Sequence, residues 1–204
     1  MKIKPSALTS NGYELQSELY HSEIAVFVQP YIFRKNSASV FYWLFNLCVL
    51  TGSIYSIFTC DIGIGKSIGF FALGFCGLLP LIPLHELIHG LFYKIDGATV
   101  VQYKANFKKF IFYAMADQYV INFSSFVLLA LAPFVIINSL LLVALVFSTG
   151  SLSFLFAGML FVHTSGCAGD FALISYFLEH DYKHLVTYDD VAEGKSYFYK
   201  KVNN

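Results

Sequence analysis

His85, Glu86 and His89 stand in the order His-Glu-Leu-Ile-His, a spacing with direct chemical meaning. A helix repeats every ~3.6 residues, so side chains four apart share one face. Two imidazoles on one face reach a single metal ion together. A glutamate beside the first can take a proton from water that the metal activates. With 6 His and 6 Glu in 204 residues, accident would produce this word in roughly one chain in 200. Its weight therefore depends on its setting.

A catalytic zinc site takes three protein ligands and leaves a position open. Asp170 is the expected third ligand, which places zinc between His85, His89 and Asp170, with Glu86 as general base and later proton donor to a leaving amine. The competing readings are a protonated Asp170, or one that caps a helix break at Gly166-Cys167-Ala168-Gly169, and a Glu86 paired with Lys94. His163 is the rival ligand. It precedes Asp170 by seven residues, on the same helix face but ~10 Å along the axis. One ion could use both only if the helix broke at the glycines, so a hydrogen bond behind a ligand, or a pore-lining place, is expected of His163. His180 and His184 repeat the four-residue spacing in a polar tail without a matching glutamate, which predicts a solvated helix face. His21 carries no signal.

The elements that must hold these residues are apolar. Hydrophobic residues make up 57% of the chain, charged residues 13%, and mean hydropathy is +0.63. Soluble domains carry ~25% charged residues, so the composition predicts an integral membrane protein. Net charge is zero and no basic block occurs, which argues against a nucleic-acid partner. Cys48, Cys60, Cys76 and Cys167 lie scattered in apolar segments without CxxC spacing, and read as small buried hydrophobes. The residues after Met1 lack the apolar core of a signal peptide, so the first span is expected to be retained.

Four apolar runs approach the ~20 residues that a membrane helix needs: about 38–59, 67–93, 125–147 and 151–178. Pro80 and Pro83 are expected to kink the second. Ser148-Thr149-Gly150 alone separates the last two, which predicts a tight hairpin. With the N-terminus in the cytosol, 12 of the 13 basic residues fall inside and only Lys66 outside, the bias that sets orientation. Both termini are then cytosolic, in a multi-pass protein of the cytoplasmic membrane. His85 lies eight residues before the end of the second run, and Asp170 eight before the end of the fourth. Both sit ~12 Å deep at 1.5 Å per residue, so two helices bring ligand chemistry to one level. The small residues around Gly166 would let those helices approach closely.

Between the second and third runs, Gly97 opens a stretch, 99–123, in which Tyr103, Phe107, Phe110, Phe112, Tyr113, Tyr119, Val120 and Ile121 mark two β-prone runs. A small cytosolic-side β-hairpin is predicted, with Lys108-Lys109 at a turn or an exposed position. Its edge could receive an extended substrate peptide as an added strand. The fold class is therefore mainly α and integral to the membrane. The predicted division is an N-terminal cytosolic segment 1–37, a four-span domain 38–178 and a C-terminal tail 179–204.

Together these residues resemble the bacterial putative membrane zincin peptidases, a family distantly similar to site-2 proteases. The likeness rests on His85-Glu86-Leu87-Ile88-His89-Gly90, on Leu131-Ala132-Pro133 and on Gly169-Asp170, and covers about 81–178. It implies His85, His89 and Asp170 as zinc ligands and Glu86 as the catalytic residue. Site-2 proteases usually carry Asn-Pro and Leu-Asp-Gly type signatures around the third ligand. Here the chain reads Ser-Gly-Cys-Ala-Gly-Asp-Phe over 165–171, which fits the zincin family better. The expected activity is hydrolysis of a membrane-inserted or juxtamembrane peptide by an intramembrane zinc metalloprotease. The alternative is a non-catalytic metal-binding or immunity-type membrane protein. A transporter would need ionisable residues through both membrane halves, and a paired-glutamate protease a Glu-Glu pair, and the chain offers neither.

Overall fold

The computed structural model describes residues 3–106 and 111–202. The chain runs through β1 (Tyr13–Tyr20), α1 (Ile24–Val28), α2 (Ser37–Thr59), α3 (Ile64–Gly74) and α4 (Leu78–Asp96). It continues through β2 (Gln102–Asn106), β3 (Ile111–Met115), β4 (Ile121–Asn122), α5 (Phe123–Phe147), α6 (Ser151–Gly166) and α7 (Ala168–Glu179), and ends in β5 (Leu185–Asp190) and β6 (Lys195–Lys201). Four helical stretches are long and apolar enough to cross a membrane: Ser37–Thr59, Ile64–Asp96, Phe123–Phe147 and Ser151–Glu179. Their outward faces carry Leu44, Phe58, Leu140 and Val146, all more than 55% exposed. In water such faces would be costly; in lipid they are matched to their surroundings.

Local chemistry sets the helix starts. Asn36 Oδ1 accepts from the Ser39 N–H at 3.2 Å, and Asn122 Oδ1 from the Ser125 N–H at 3.0 Å, each satisfying a donor that the first turn leaves unpaired. Gly97 ends α4 with φ of 110°, a left-handed conformation that a side chain would strain.

The second apolar run is not one kinked helix. It stops at Gly74, makes a 3₁₀ turn over Phe75–Gly77 and restarts at Leu78. The interruption lies upstream of the prolines expected to cause it. Pro80 falls in the first turn of α4, where no N–H is required, and Pro83 is carried inside the helix. The interruption coincides instead with backbone-to-backbone contact between α3 and α6. A Cβ on Gly74 would lie 2.4 Å from the Leu155 carbonyl oxygen, and one on Gly158 2.0 Å from that of Phe71. Only glycine permits this approach. The fourth run also divides, at Cys167, so that Asp170 falls in the first turn of α7. A helix N-terminus favours a carboxylate.

β2 and β3 form an antiparallel pair with Tyr103 opposite Ala114, the expected hairpin. Phe107, Lys108, Lys109 and Phe110, the stretch in which a turn or an exposed position is expected, lie outside the described residues. Ile121 leaves this hairpin and joins a second sheet of order β1-β6-β5-β4, antiparallel throughout and assembled from both ends of the chain. The segment holding His180 and His184 is a turn rather than a helix face, with His184 Nδ1 against Asp181 at 3.1 Å. One core cluster joins α2, α5 and α7 to the sheet through Tyr42, Phe134, Phe171, Phe177 and Phe198. A second joins α4, α5 and α6 through Leu81, Ile137 and Leu160.

Candidate metal centre

Three donor groups meet where α4 passes the start of α7. His85 Nε2 lies 3.0 Å from His89 Nε2, Asp170 Oδ2 lies 3.2 Å from His85 Nε2, and Asp170 Oδ1 lies 3.3 Å from His89 Nε2. His85, His89 and Asp170 form one of two described groups able to hold a metal ion. With metal–ligand distances near ~2.0–2.1 Å, the ligands of a tetrahedral zinc stand about 3.3 Å apart. The triangle has that size.

The reverse side of the His89 imidazole shows which of its nitrogens carries a proton. His89 Nδ1 sits 3.0 Å from the Leu129 carbonyl oxygen. A carbonyl can only accept, so Nδ1 donates and Nε2 of the neutral ring holds a lone pair. Leu129 is available because of the residue four places on. Pro133 lies inside α5 and has no N–H to give the carbonyl of residue 129, so that carbonyl turns to His89 instead. The Leu-Ala-Pro element of the sequence thus acts at a distance on the helix bearing the histidines.

His85 is held through a longer chain. Asn138 Oδ1 lies 2.7 Å from His163 Nδ1, and His163 Nε2 lies 3.3 Å from His85 Nδ1. With the amide oxygen turned to His163, it accepts from Nδ1–H, His163 Nε2 accepts from His85 Nδ1–H, and His85 Nε2 is left with a lone pair. Two nitrogen lone pairs and a carboxylate facing one another within 3.3 Å repel unless a cation lies among them, so the donor set fits zinc. His163 stands behind His85 and does not join this triangle. Its own group is His85 with His163 and Cys167, and its Nε2 meets His85 at Nδ1. Asn138 and Leu129 escaped sequence reasoning, since neither has a type or spacing that marks metal chemistry.

Glu86 projects from the same helix toward β3, where the Ala114 backbone N–H bonds its carboxyl group. Its Oε2 is buried with no hydrogen-bond partner among the described residues. Such an atom is costly unless it serves a ligand or a proton. Gly90 lets the hairpin come this close, since a Cβ there would lie 2.0 Å from the Tyr103 hydroxyl. A cavity of about 200 Å³ opens beside these groups, lined by His85, Glu86, His89 and Asp170 on one side and by Tyr113 and Asp189 on the other. A neighbouring space of about 190 Å³ touches His85, Glu86 and His163.

An apolar helical frame around paired imidazoles, a carboxylate and an adjacent glutamate is the donor arrangement of a zincin. The family described as "putative zincin peptidase" matches residues 78–185, just over half of the 204 residues, and the chain belongs to it. Comparison with curated proteins and with solved structures finds no match.

Proposed function

We propose that this protein is an intramembrane zinc metallopeptidase that hydrolyses peptide bonds of membrane-inserted or juxtamembrane substrates. The observation that carries the reading is the meeting of His85, His89 and Asp170, drawn from two helices, beside a glutamate whose Oε2 is unpartnered. His85 Nε2, His89 Nε2 and the Asp170 carboxylate would hold zinc. Zinc so held supplies Lewis acidity, polarising a carbonyl and lowering the pKa of water toward ~7.

Glu86 is the general base. Oε2 receives the proton of the attacking water, and the same carboxyl returns it to the amine nitrogen as the C–N bond breaks. The Ala114 N–H fixes the other end of the carboxyl group, so the basic oxygen keeps one direction. Leu129 and the Asn138–His163 pair hold the imidazoles with their lone pairs inward. The substrate lies extended along the β2–β3 hairpin, whose β3 strand borders the cavity. Both termini face the cytosol of the cytoplasmic membrane, and the loop bearing Lys66 faces outward.

Glu86→Gln is the decisive variant. It is expected to keep one zinc per chain by elemental analysis and to lose cleavage by at least about a hundredfold, the low end of what general base catalysis supplies. Undiminished turnover would refute the role, and a phenotype that survives the substitution would favour a non-catalytic metal-binding or immunity-type protein. Asp170→Ala is expected to lose the zinc. Orientation is checked by labelling single cysteines at Lys66 and Gly194 with an impermeant maleimide in intact cells. Only the first should react.

A further inference from the structure

The wall of the cavity away from the paired imidazoles carries a second set of polar side chains. Ser196 Oγ lies 2.6 Å from Asp189 Oδ1 and 3.1 Å from His21 Nε2. The carboxylate can only accept, so Ser196 donates to it and accepts from His21 Nε2–H. A serine hydrolase triad would place the carboxylate on the far ring nitrogen. Here Asp189 approaches the same nitrogen, Nε2, at 3.8 Å, so Ser196 has no base to activate it. His21 Nδ1 is left over. The residue is only 7% exposed, it lines the cavity, and Nδ1 has no partner among the described residues.

The charge around this cluster is one-sided. Among the described residues, Asp189 Oδ2 receives only a long bond, 3.5 Å, from the Tyr93 hydroxyl, and a carboxylate has about four lone-pair sites to fill. Among the described residues no lysine or arginine reaches it. Lys195 is taken by Glu18 at 2.9 Å and Lys104 by the Val191 carbonyl at 3.2 Å. The Tyr113 phenol is pushed above its ordinary pKa by burial and then by the Asp189 charge. That ring stands 5.4 Å from the His21 ring, and an aromatic face is a suitable neighbour for a cation.

We propose that His21, Ser196 and Asp189 form a subsite for a cationic nitrogen of the substrate, supplied by a lysine or arginine side chain or by a free N-terminal ammonium. Asp189 provides the charge, His21 Nδ1 accepts one N–H, and the Tyr113 ring flanks the site. The inference deepens the peptidase reading and rests on it for the ligand being a peptide. Two adjacencies place the subsite near the metal ligands. Tyr93 lies one helical turn, about 6 Å, beyond His89 on α4. Tyr113 adjoins Ala114, whose N–H meets Glu86. An extended peptide advances ~3.3 Å per residue, so the recognised group belongs within one to three residues of the scissile bond.

The test is binding to the Glu86→Gln protein in nanodiscs, read by fluorescence anisotropy. The probes are four pentapeptides with a C-terminal fluorophore: Ala-Ala-Lys-Ala-Ala and its norleucine counterpart, each with a free and with an acetylated N-terminus. The expected result is about tenfold tighter binding of a charged peptide than of the acetylated norleucine peptide. Loss on acetylation would name the terminal ammonium as the group, and loss on norleucine replacement the side chain. Asp189→Asn should abolish the preference. His21→Gln, which leaves the carboxylate in place, should weaken it, so the outcome does not hang on one variant folding. Equal affinity for all four peptides, absence of binding, or a preference intact in both variants overturns the proposal. Zinc is measured on the same preparations, and the series is repeated after chelation. Protein that holds zinc without charge preference fails this inference alone, whereas protein that holds no zinc fails the peptidase reading.

Discussion

His85 and His89 present Nε2 to the centre because each Nδ1 is already engaged, one by His163 and the other by Leu129. The two imidazoles are therefore unequal. His89 leans on a backbone carbonyl, that of Leu129, whereas His85 depends on two side chains, His163 and Asn138, in series. Substituting Asn138 by Leu or His163 by Phe should lower zinc affinity by about 10–100-fold, the usual effect of losing a partner that orients a ligand. Competition with a chromophoric chelator measures it. Helix content by circular dichroism should stay unchanged. Unaltered affinity in both variants would show that the relay does not orient His85. At this scale the sequence was partly legible: HExxH and Asp170 announce themselves by type and spacing. Asn138 does not, because a buried asparagine in an apolar helix has many uses. His21 was silent for a different reason, since its partners Asp189 and Ser196 lie about 170 residues away in the chain.

Pro133 and the small residues of α3 and α6 act through elements. Pro133→Ala would restore an N–H able to bond the Leu129 carbonyl, which strengthens α5 while competing for the acceptor that His89 uses. The expected outcome is opposite in sign for two measurements: an equal or higher melting temperature, and weaker zinc binding. A variant that binds zinc as tightly as the natural chain would show that His89 needs no help from α5. Gly158→Ala places a methyl group against the Phe71 carbonyl oxygen, and α3 cannot retreat without losing its contact with α6. Overpacking of this kind costs about 1–3 kcal/mol, measurable by chemical denaturation in detergent. The number and approximate extent of the apolar runs were readable because lipid demands long uninterrupted hydrophobicity. The interruption at Phe75–Gly77 was not, since it coincides with a neighbour's backbone against Gly74 and not with the prolines that suggested a kink. The division at Cys167 was raised as a rival to the metal reading of Asp170 and as the condition for His163 to join the same ion. In the structure the two coexist, as the helix restarts and Asp170, in the first turn of α7, joins the imidazoles.

Across the whole molecule, the candidate metal centre and the sheet line one cavity. Zinc bound to the folded chain and not to the unfolded one should stabilise it by about 2.7 kcal/mol at a hundred times Kd. Thermal melting with and without chelator reads this directly, and Asp170→Ala should show no zinc-dependent shift. The four-stranded sheet is the feature that sequence patterning conceals. β1 and β6 pair Tyr13 with Lys201 and Tyr20 with Lys195, residues from opposite ends of the chain. Short polar strands of this kind have no periodicity strong enough to name a partner so remote.

Ser196 and Phe198, which line the cavity, belong to β6, a strand that follows His85, His89 and Asp170 in the chain, and the Val202 N–H closes onto the Gly12 carbonyl at 2.9 Å. While the ribosome still encloses that strand, the helices bearing the histidines have already been made, yet the chamber lacks a wall. Synthesis from the N-terminus thus lays down the paired imidazoles first and the sheet wall of the cavity afterwards.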